Sequence, residues 1–297
     1  MAEVAGQEQG DAPTEQLTLL GEASVPTERP SRIGKAEVTY RPAASILTRA
    51  SGFMAAYDYT LNPYSGCGFG CSYCYAAFFA RDKDLQDRWG QWVTVKENAL
   101  QSLRRMRTPL GGKAIYMSSV TDPYQPVERE LRLVRELLEE LVPQQPRLVV
   151  QTRSPLVTRD LDLYGRLEHA RVHMTITTDS ENVRKAYEPY CPGNCQRLDA
   201  ITEVAASGVR AAITMTPLLP VEDAEAFAQR LLATGVQHFV VQPFHAERGR
   251  FVAGTRDAAA AITRQLGWDH EAYRRTVARL RAVLPNLQEG KDGFAPP

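Results

Sequence analysis

The sequence predicts an α/β fold, an open and partial (β/α)6 barrel. Two observations carry that reading. Short runs rich in β-branched and other apolar residues alternate with helical stretches of about a dozen residues, from Tyr57 to Val283. Such alternation implies a parallel sheet with right-handed crossovers. Six strand–helix units are counted, too few to close an eight-stranded barrel.

The units follow in order. Asp58–Asn62 reads as a first strand, ending at a cysteine-rich loop, and Val95–Met106 as a helix. Lys113–Ser118 is a second strand, followed by a helix over Val127–Leu141. Arg147–Thr152 is a third strand with a helix over Asp160–Leu167, and Val172–Thr177 a fourth with a helix over Leu198–Ser207. The fifth pair is Arg210–Met215 and Val221–Ala233; the sixth is His238–Gln242 and His270–Val283. Gly208 and Gly235 stand where helix C-terminal caps are expected. No internal repeat appears beyond this alternation.

The ends look different. Residues 1–30 are rich in Glu, Gln, Gly, Pro, Thr and Ala, with Leu17, Leu19 and Leu20 forming no pattern. A disordered tail over 1–34 is expected, then a barrel domain over 35–290 opened by an ordered lead-in from Ala36 to Phe53, and a flexible C-terminus over 291–297. The 297 residues carry 43% hydrophobic and 24% charged side chains, ordinary values for a globular chain. Lys+Arg and Asp+Glu are both 35, so no overall basic bias advertises nucleic acid, although a local basic groove remains open. Neither a membrane span nor a signal peptide is apparent, and five cysteines suit a reducing cytoplasm better than a disulfide scaffold.

The most informative run is Asn62-Pro63-Tyr64-Ser65-Gly66-Cys67-Gly68-Phe69-Gly70-Cys71-Ser72-Tyr73-Cys74-Tyr75-Ala76. Cys67, Cys71 and Cys74 are spaced C-x3-C-x2-C on a glycine-rich turn, so three thiolates can converge on one cubane. A [4Fe–4S] cluster ordinarily takes four cysteines. Three from one loop leave an iron open to a small molecule, as a catalytic zinc keeps one position free. A zinc knuckle would want a fourth Cys or His nearby, and three cysteines make poor disulfide arithmetic.

Parallel β/α folds place their sites at the C-terminal ends of the strands. Ser119, Thr121 and Asp122 follow the second strand, where hydroxyls and a carboxylate can receive an ammonium group. Arg153 follows the third and can grip a carboxylate bidentately. Thr175, Thr177, Thr178 and Asp179 lie in or after the fourth, an acidic residue there suiting ribose hydroxyls; Glu188 and Arg197 come later. Taken singly, each also reads as a turn cap or a solvated charge. His245 ends the sixth strand as a weaker candidate, whereas His238 reads as structural.

The C-x3-C-x2-C run followed by an aromatic resembles the radical S-adenosylmethionine (SAM) enzymes. The resemblance implies the same partial barrel, with SAM chelated at the open iron and cleaved reductively to a 5′-deoxyadenosyl radical. It also implies an external electron donor of flavodoxin or ferredoxin type. The strand-end pattern is similar to the spore photoproduct lyase-like subgroup over about residues 55 to 245. That likeness rests on Tyr73-Cys74-Tyr75, Thr121-Asp122, Arg153, Thr175, Glu188-Pro189, Arg197-Leu198 and Pro217. It implies SAM contacts at Thr121, Asp122 and Arg153, a radical relay at Tyr75, and a lyase or oxidoreductase acting on nucleic acid, damaged DNA included. Ser119 departs from the pattern, standing where the lyase has a hydrogen-donating cysteine. A serine O–H bond is too strong to give its hydrogen to a carbon radical readily.

Cys191 and Cys195 flank Pro192-Gly193-Asn194 in the loop after the fourth strand. Three readings stand: incidental or redox-sensitive thiols, ligands of a second metal, or donors of the missing hydrogen atom. Trp89 and Trp92 read as core residues rather than a base-stacking platform, and Arg274, Arg275, Arg279 and Arg281 as a solvated helix face. The functional alternatives are modification of RNA or a metabolite, an iron–sulfur redox or sensor protein without turnover, and a nucleic-acid-binding module.

Overall fold

The computed structural model describes residues 29–80, 82–245 and 256–297. Among these residues twelve strands form two sheets. The strands are β1 (Arg32–Ile33), β2 (Ala36–Arg41), β3 (Leu47–Arg49), β4 (Tyr59–Leu61), β5 (Tyr64–Gly66), β6 (Trp92–Lys96), β7 (Ala114–Met117), β8 (Arg147–Thr152), β9 (Ala170–Thr175), β10 (Arg210–Met215), β11 (Phe239–Val241) and β12 (Leu287–Glu289). The large sheet runs β12-β11-β10-β9-β8-β7-β4-β3. All its neighbours are parallel except β3, which pairs antiparallel with β4. The edge strands β3 and β12 do not pair with one another, so the barrel is open.

The expected fold class is therefore found, with a seventh parallel strand, β12, too short to stand out in the sequence. Successive residues of a strand face opposite ways. Leu148 and Val150, Val172 and Met174, Ile213 and Met215 pack into the main apolar core. The intervening positions face the barrel interior, where Tyr116, Val149 and Val240 gather with Tyr57 and Phe294. Higher in the interior, Gln151 accepts from the Tyr116 hydroxyl and donates to Thr175 at 2.9 Å and Thr214 at 3.4 Å. His173, two residues below Thr175, is fully buried and neither ring nitrogen has a hydrogen-bond partner.

The helices are α1 (Lys83–Asp87), α2 (Ala99–Arg104), α3 (Glu128–Leu131), α4 (Leu133–Leu141), α5 (Leu161–Tyr164), α6 (Glu181–Tyr187), α7 (Asn194–Ala206), α8 (Ala224–Leu232), α9 (Asp257–Gln265) and α10 (His270–Val283). The helix expected over 127–141 breaks at Arg132, whose φ is +54°. Glu128 turns inward at that break. It accepts from the Val134 amide at 3.0 Å, from Arg159 Nη2 at 2.7 Å and from the Tyr64 hydroxyl. Arg159 is shared, since its guanidinium also donates to Asp160 at 2.7 and 2.8 Å.

Three expectations need correction. The first residues of the helix expected over 95–106, Val95 and Lys96, instead end β6: Val93, Thr94 and Val95 are β-branched, and the strand sits between β2 and β5 in a second, four-stranded sheet, β1-β2-β6-β5, with the helix starting only at Ala99. Of the tail expected over 1–34, residues 1–28 lie outside the described residues, but Arg32–Ile33 is strand β1, paired with Glu37 and Ala36. The C-terminal 291–297, expected to be flexible, is docked. Phe294 is buried inside the barrel, and the carbonyls of Ala295 and Pro297 accept from Arg171 and Arg147 at 3.2 and 2.8 Å. No helix among the described residues is long and apolar enough to cross a membrane.

Candidate active site

The cysteine loop leaves β4 at its C-terminal end, passes through β5 and lies at the end of the sheet where the polar strand termini converge. Gly66 has φ +75°, and a Cβ there would sit 2.6 Å from both the ring and the carbonyl oxygen of Trp92. Only glycine lets the chain turn against that indole. Trp92 is in turn fixed by its Nε1–H to the Leu85 carbonyl at 2.8 Å and by an edge-to-face contact with Trp89. Both tryptophans are buried, as expected of core residues.

Polar side chains behind the loop hold it from the next strand end. Thr121 donates to the Gly66 carbonyl at 2.6 Å, and Gln125 accepts from the Gly68 amide at 2.8 Å while donating to Thr121 at 2.9 Å. Asn62 donates to the Ser119 hydroxyl and accepts from the Val120 amide, at 2.9 and 3.1 Å. Asp122 is fully engaged: it accepts from Thr152 at 2.6 Å, the Arg153 amide at 2.8 Å and the Tyr124 amide at 2.9 Å. Ser118 bends the chain out of β7 with φ +110°, a left-handed geometry unusual for serine. Such strain persists only where surrounding contacts over-determine it.

The three thiols share one loop, and cysteine thiolates are the donors an iron–sulfur cluster takes. Among the described residues no three Cys, His, Asp or Glu side chains gather closely enough for one metal ion. In a cubane each thiolate holds a different iron, so no such convergence is required. Backbone amides supply the compensating dipoles: that of Asp122 points at Cys67, and those of Ala76 and Ala77 at Cys74. N–H donors to sulfur are one lever by which a protein sets an iron–sulfur centre. Burial pushes the Cys67 thiol up and the Cys74 thiol to about 12. Cys71 is held below its ordinary range, first by a hydrogen bond from Cys191 at 3.6 Å and then, against burial, by the Arg153 charge.

Beside Cys71 stands a buried ion network. Glu188 accepts from Arg197 Nη2 at 2.5 Å, Thr177 at 3.0 Å and the Tyr73 hydroxyl, with Arg153 Nε 3.5 Å away. Burial pushes Glu188 up, but the two guanidiniums and these hydrogen bonds overcome it and bring the carboxyl down to about 2. Arg197 is fully buried and spends its other donors on the carbonyls of Thr175 and Pro192, both at 3.0 Å. Arg153 donates to the Tyr73 hydroxyl at 3.0 Å, and its Nε is buried without a hydrogen-bond acceptor.

The structure thus sorts the sequence candidates. Cys67, Cys71, Cys74, Arg153, Glu188 and Arg197 meet in one group at the cysteine loop. Thr121 and Asp122 lie directly behind it, and Thr175 lies in the barrel interior bonded to Gln151 and Thr214. Tyr75 is exposed at the rim, its hydroxyl donating to the Ser119 carbonyl and its ring edge-on to Phe79. Asp179 caps the turn of Glu222 and Asp223 through their amides, so its oxygens are already used. Cys191 joins the group, whereas Cys195 is exposed on the first turn of α7. Sequence reasoning missed Asn62, Gln125 and the Cys71–Cys191 contact. Asn62 and Gln125 stood inside the quoted motif runs as polar residues, which was their only signal.

A three-thiol loop at the mouth of an open parallel barrel, backed by a buried carboxylate–guanidinium network, is the arrangement of a SAM-dependent iron–sulfur protein. The chain belongs to the radical SAM superfamily, whose family model matches residues 61–231, more than half of it. The cofactors of that family are a [4Fe–4S] cluster and SAM. Structures of spore photoproduct lyase share the fold. A cysteine-to-serine mutant has TM-score 0.60 and 15% identity, over 85% of this chain and 81% of that one. A mutant with bound AdoMet and dinucleoside spore photoproduct has TM-score 0.59 and 13% identity over the same shares. An uncharacterized protein of Methanocaldococcus jannaschii is 36% identical over 54% of this chain, which spans 61% of that relative. An uncharacterized protein of Acidianus two-tailed virus is 28% identical over 74% of this chain and 76% of its own length.

Proposed function

We propose that this radical SAM protein is an enzyme that takes a hydrogen atom from nucleic acid, with a lesion of the dinucleoside photoproduct kind as the first substrate to try. The observation that supports it best is the pinned cysteine loop: Gly66, Thr121 and Gln125 hold three thiols beside Arg153 at the strand ends. When bound, the cluster and SAM would together supply the one-electron chemistry that starts hydrogen abstraction. Cys67, Cys71 and Cys74 hold the cluster. Arg153, whose guanidinium stands beside the cysteine loop, would hold the SAM carboxylate. Glu188 and Arg197 are positioning residues that fix Arg153 and Tyr73, and Asp122 fixes the Arg153 backbone. Thr121 keeps the loop in place, Thr175 lines the interior, and the Tyr75 ring meets substrate at the rim.

Ser119 shapes the outcome. Its hydroxyl is held by Asn62 and it brings no thiol to return a hydrogen atom. Cys191 sits against Cys71 and Cys195 lies on the outer surface of α7, so neither enters this reading as the donor. The absence of a thiol at Ser119 favours a second reading within the same class, a modification of RNA or of a small metabolite that needs no such return.

The test is anaerobic reconstitution with iron and sulfide, then dithionite and SAM, with 5′-deoxyadenosine read by mass spectrometry. Product is expected, and its loss in Cys71→Ala. Stimulation by dinucleoside photoproduct supports the lesion reading, and stimulation by RNA alone supports the second. Fully loaded protein that yields no 5′-deoxyadenosine with any substrate would instead point to a redox or sensor role.

A further inference from the structure

Cys71 and Cys191 are 120 positions apart in sequence, yet their sulfurs lie 3.6 Å apart, both buried. No other pair of cysteines makes such a contact among the described residues. Each thiol is presented by an anchored backbone. On one side the Ser72 amide donates to the Tyr187 carbonyl at 2.8 Å. On the other the Cys191 amide donates to the Glu188 carbonyl at 3.2 Å, and its own carbonyl accepts from Arg184 at 3.0 Å. A disulfide needs about 2.0 Å between sulfurs, so the two must close by about 1.6 Å. The sulfur of Cys71 cannot hold iron and Cys191 at once.

We propose that the cluster-free chain carries a reversible redox lock, a Cys71–Cys191 disulfide that closes the cluster site. The oxidant is a small organic disulfide such as oxidised glutathione. A Cys71 thiolate attacks one of its sulfurs, and a small thiolate leaves to be protonated. The Cys191 thiolate then attacks the Cys71 sulfur of the mixed disulfide and expels the second small thiol. Two protein thiols and one small disulfide become one protein disulfide and two small thiols. A dithiol reductant reverses the exchange and returns Cys71 to iron. Cys195, exposed on α7, takes part in neither step.

The experiment uses the full-length chain stripped of iron, and so is independent of SAM cleavage and of any substrate. It is treated with oxidised glutathione, alkylated, digested and mapped by mass spectrometry, and a parallel sample is offered iron and sulfide. The expected result is the loss of two of the five alkylatable thiols, one linked peptide pair joining Cys71 to Cys191, and loss of cluster uptake that dithiothreitol restores. Cluster-loaded protein should show no such linkage. The variant Cys191→Ser, with folding checked by circular dichroism, should form no linked pair and instead retain the small thiol on Cys71 as a mixed disulfide, read as a mass adduct that dithiothreitol removes; a Cys71 left unmodified in this variant would overturn the proposed first step. Linkage of Cys71 to Cys67 or Cys74 instead, or a Cys191 that stays alkylatable in oxidised wild type, would overturn the proposal.

Discussion

Two carboxylates of this protein are equally buried and end up chemically opposite. Glu188 and Glu128 are both fully buried, both accept from a tyrosine hydroxyl and both face arginine. Glu188 is brought down to about 2, while burial wins at Glu128 and raises its carboxyl above the ordinary value. The difference lies in the charge ratio. Glu188 has Arg197 and Arg153 on it, whereas Glu128 draws on an Arg159 that also serves Asp160. Burial alone therefore does not set the state of a carboxylate; the number of guanidiniums committed to it does. Two guanidiniums favour the charged form of Glu188 beside the cysteine loop, with Arg153 Nε 3.5 Å from it.

The harshest way to break this comparison is to remove Arg197. Arg197→Met leaves Glu188 buried with Arg153 alone, and a loss of about 3–5 kcal/mol is expected in urea unfolding. A loss near zero would mean that Arg153 suffices and that charge ratio is the wrong explanation. Next is Glu188→Gln. Its folded carboxyl lies below the ordinary 4.5, so its stabilisation is present above pH 4.5 and fades as pH falls towards about 2. The variant should lose roughly 3 kcal/mol at pH 7 and progressively less below pH 4.5.

Glu128→Gln should show the reverse trend. A raised carboxyl favours the fold below its unfolded value and loses that advantage as pH rises through its folded one. Relative to wild type the variant therefore improves from pH 4 to pH 7. Parallel pH trends for the two variants would show that the networks do not differ. Gly66→Ala should cost about 1–3 kcal/mol and slow cluster uptake, because the new methyl meets Trp92 at 2.6 Å on a left-handed backbone. The smallest effect is expected of Thr121→Val, about 1 kcal/mol in thermal unfolding for the lost bond to the Gly66 carbonyl.

Much of the barrel is legible because short β-rich runs alternate with helices of about a dozen residues. Arg147–Thr152, Arg210–Met215 and His270–Val283 were expected with the bounds that the structure shows. Elements defined by their partners were not legible. Only its position between β2 and β5 makes Trp92–Lys96 a strand, so its last two residues, Val95 and Lys96, read in the sequence as the start of a helix, and β12 is three residues long. α6 and α9 also went unread, α6 inside what looked like a loop. In the site, the cysteine spacing and the strand-end rule brought Arg153, Glu188 and Arg197 forward. What they do to one another was beyond the sequence, since a pattern shows which residues carry charge but not which of them share it. The same holds for Cys191, whose neighbour lies 120 positions away.

That separation also sets a clock. A chain is synthesised at about 5–20 residues per second, so Cys71 precedes Cys191 by roughly 6 to 24 s. Throughout that interval the three thiols of the loop exist without the turn that will cover them. If Cys71 is an iron ligand as proposed, synthesis order would give iron the first opportunity at its sulfur and Cys191 the second.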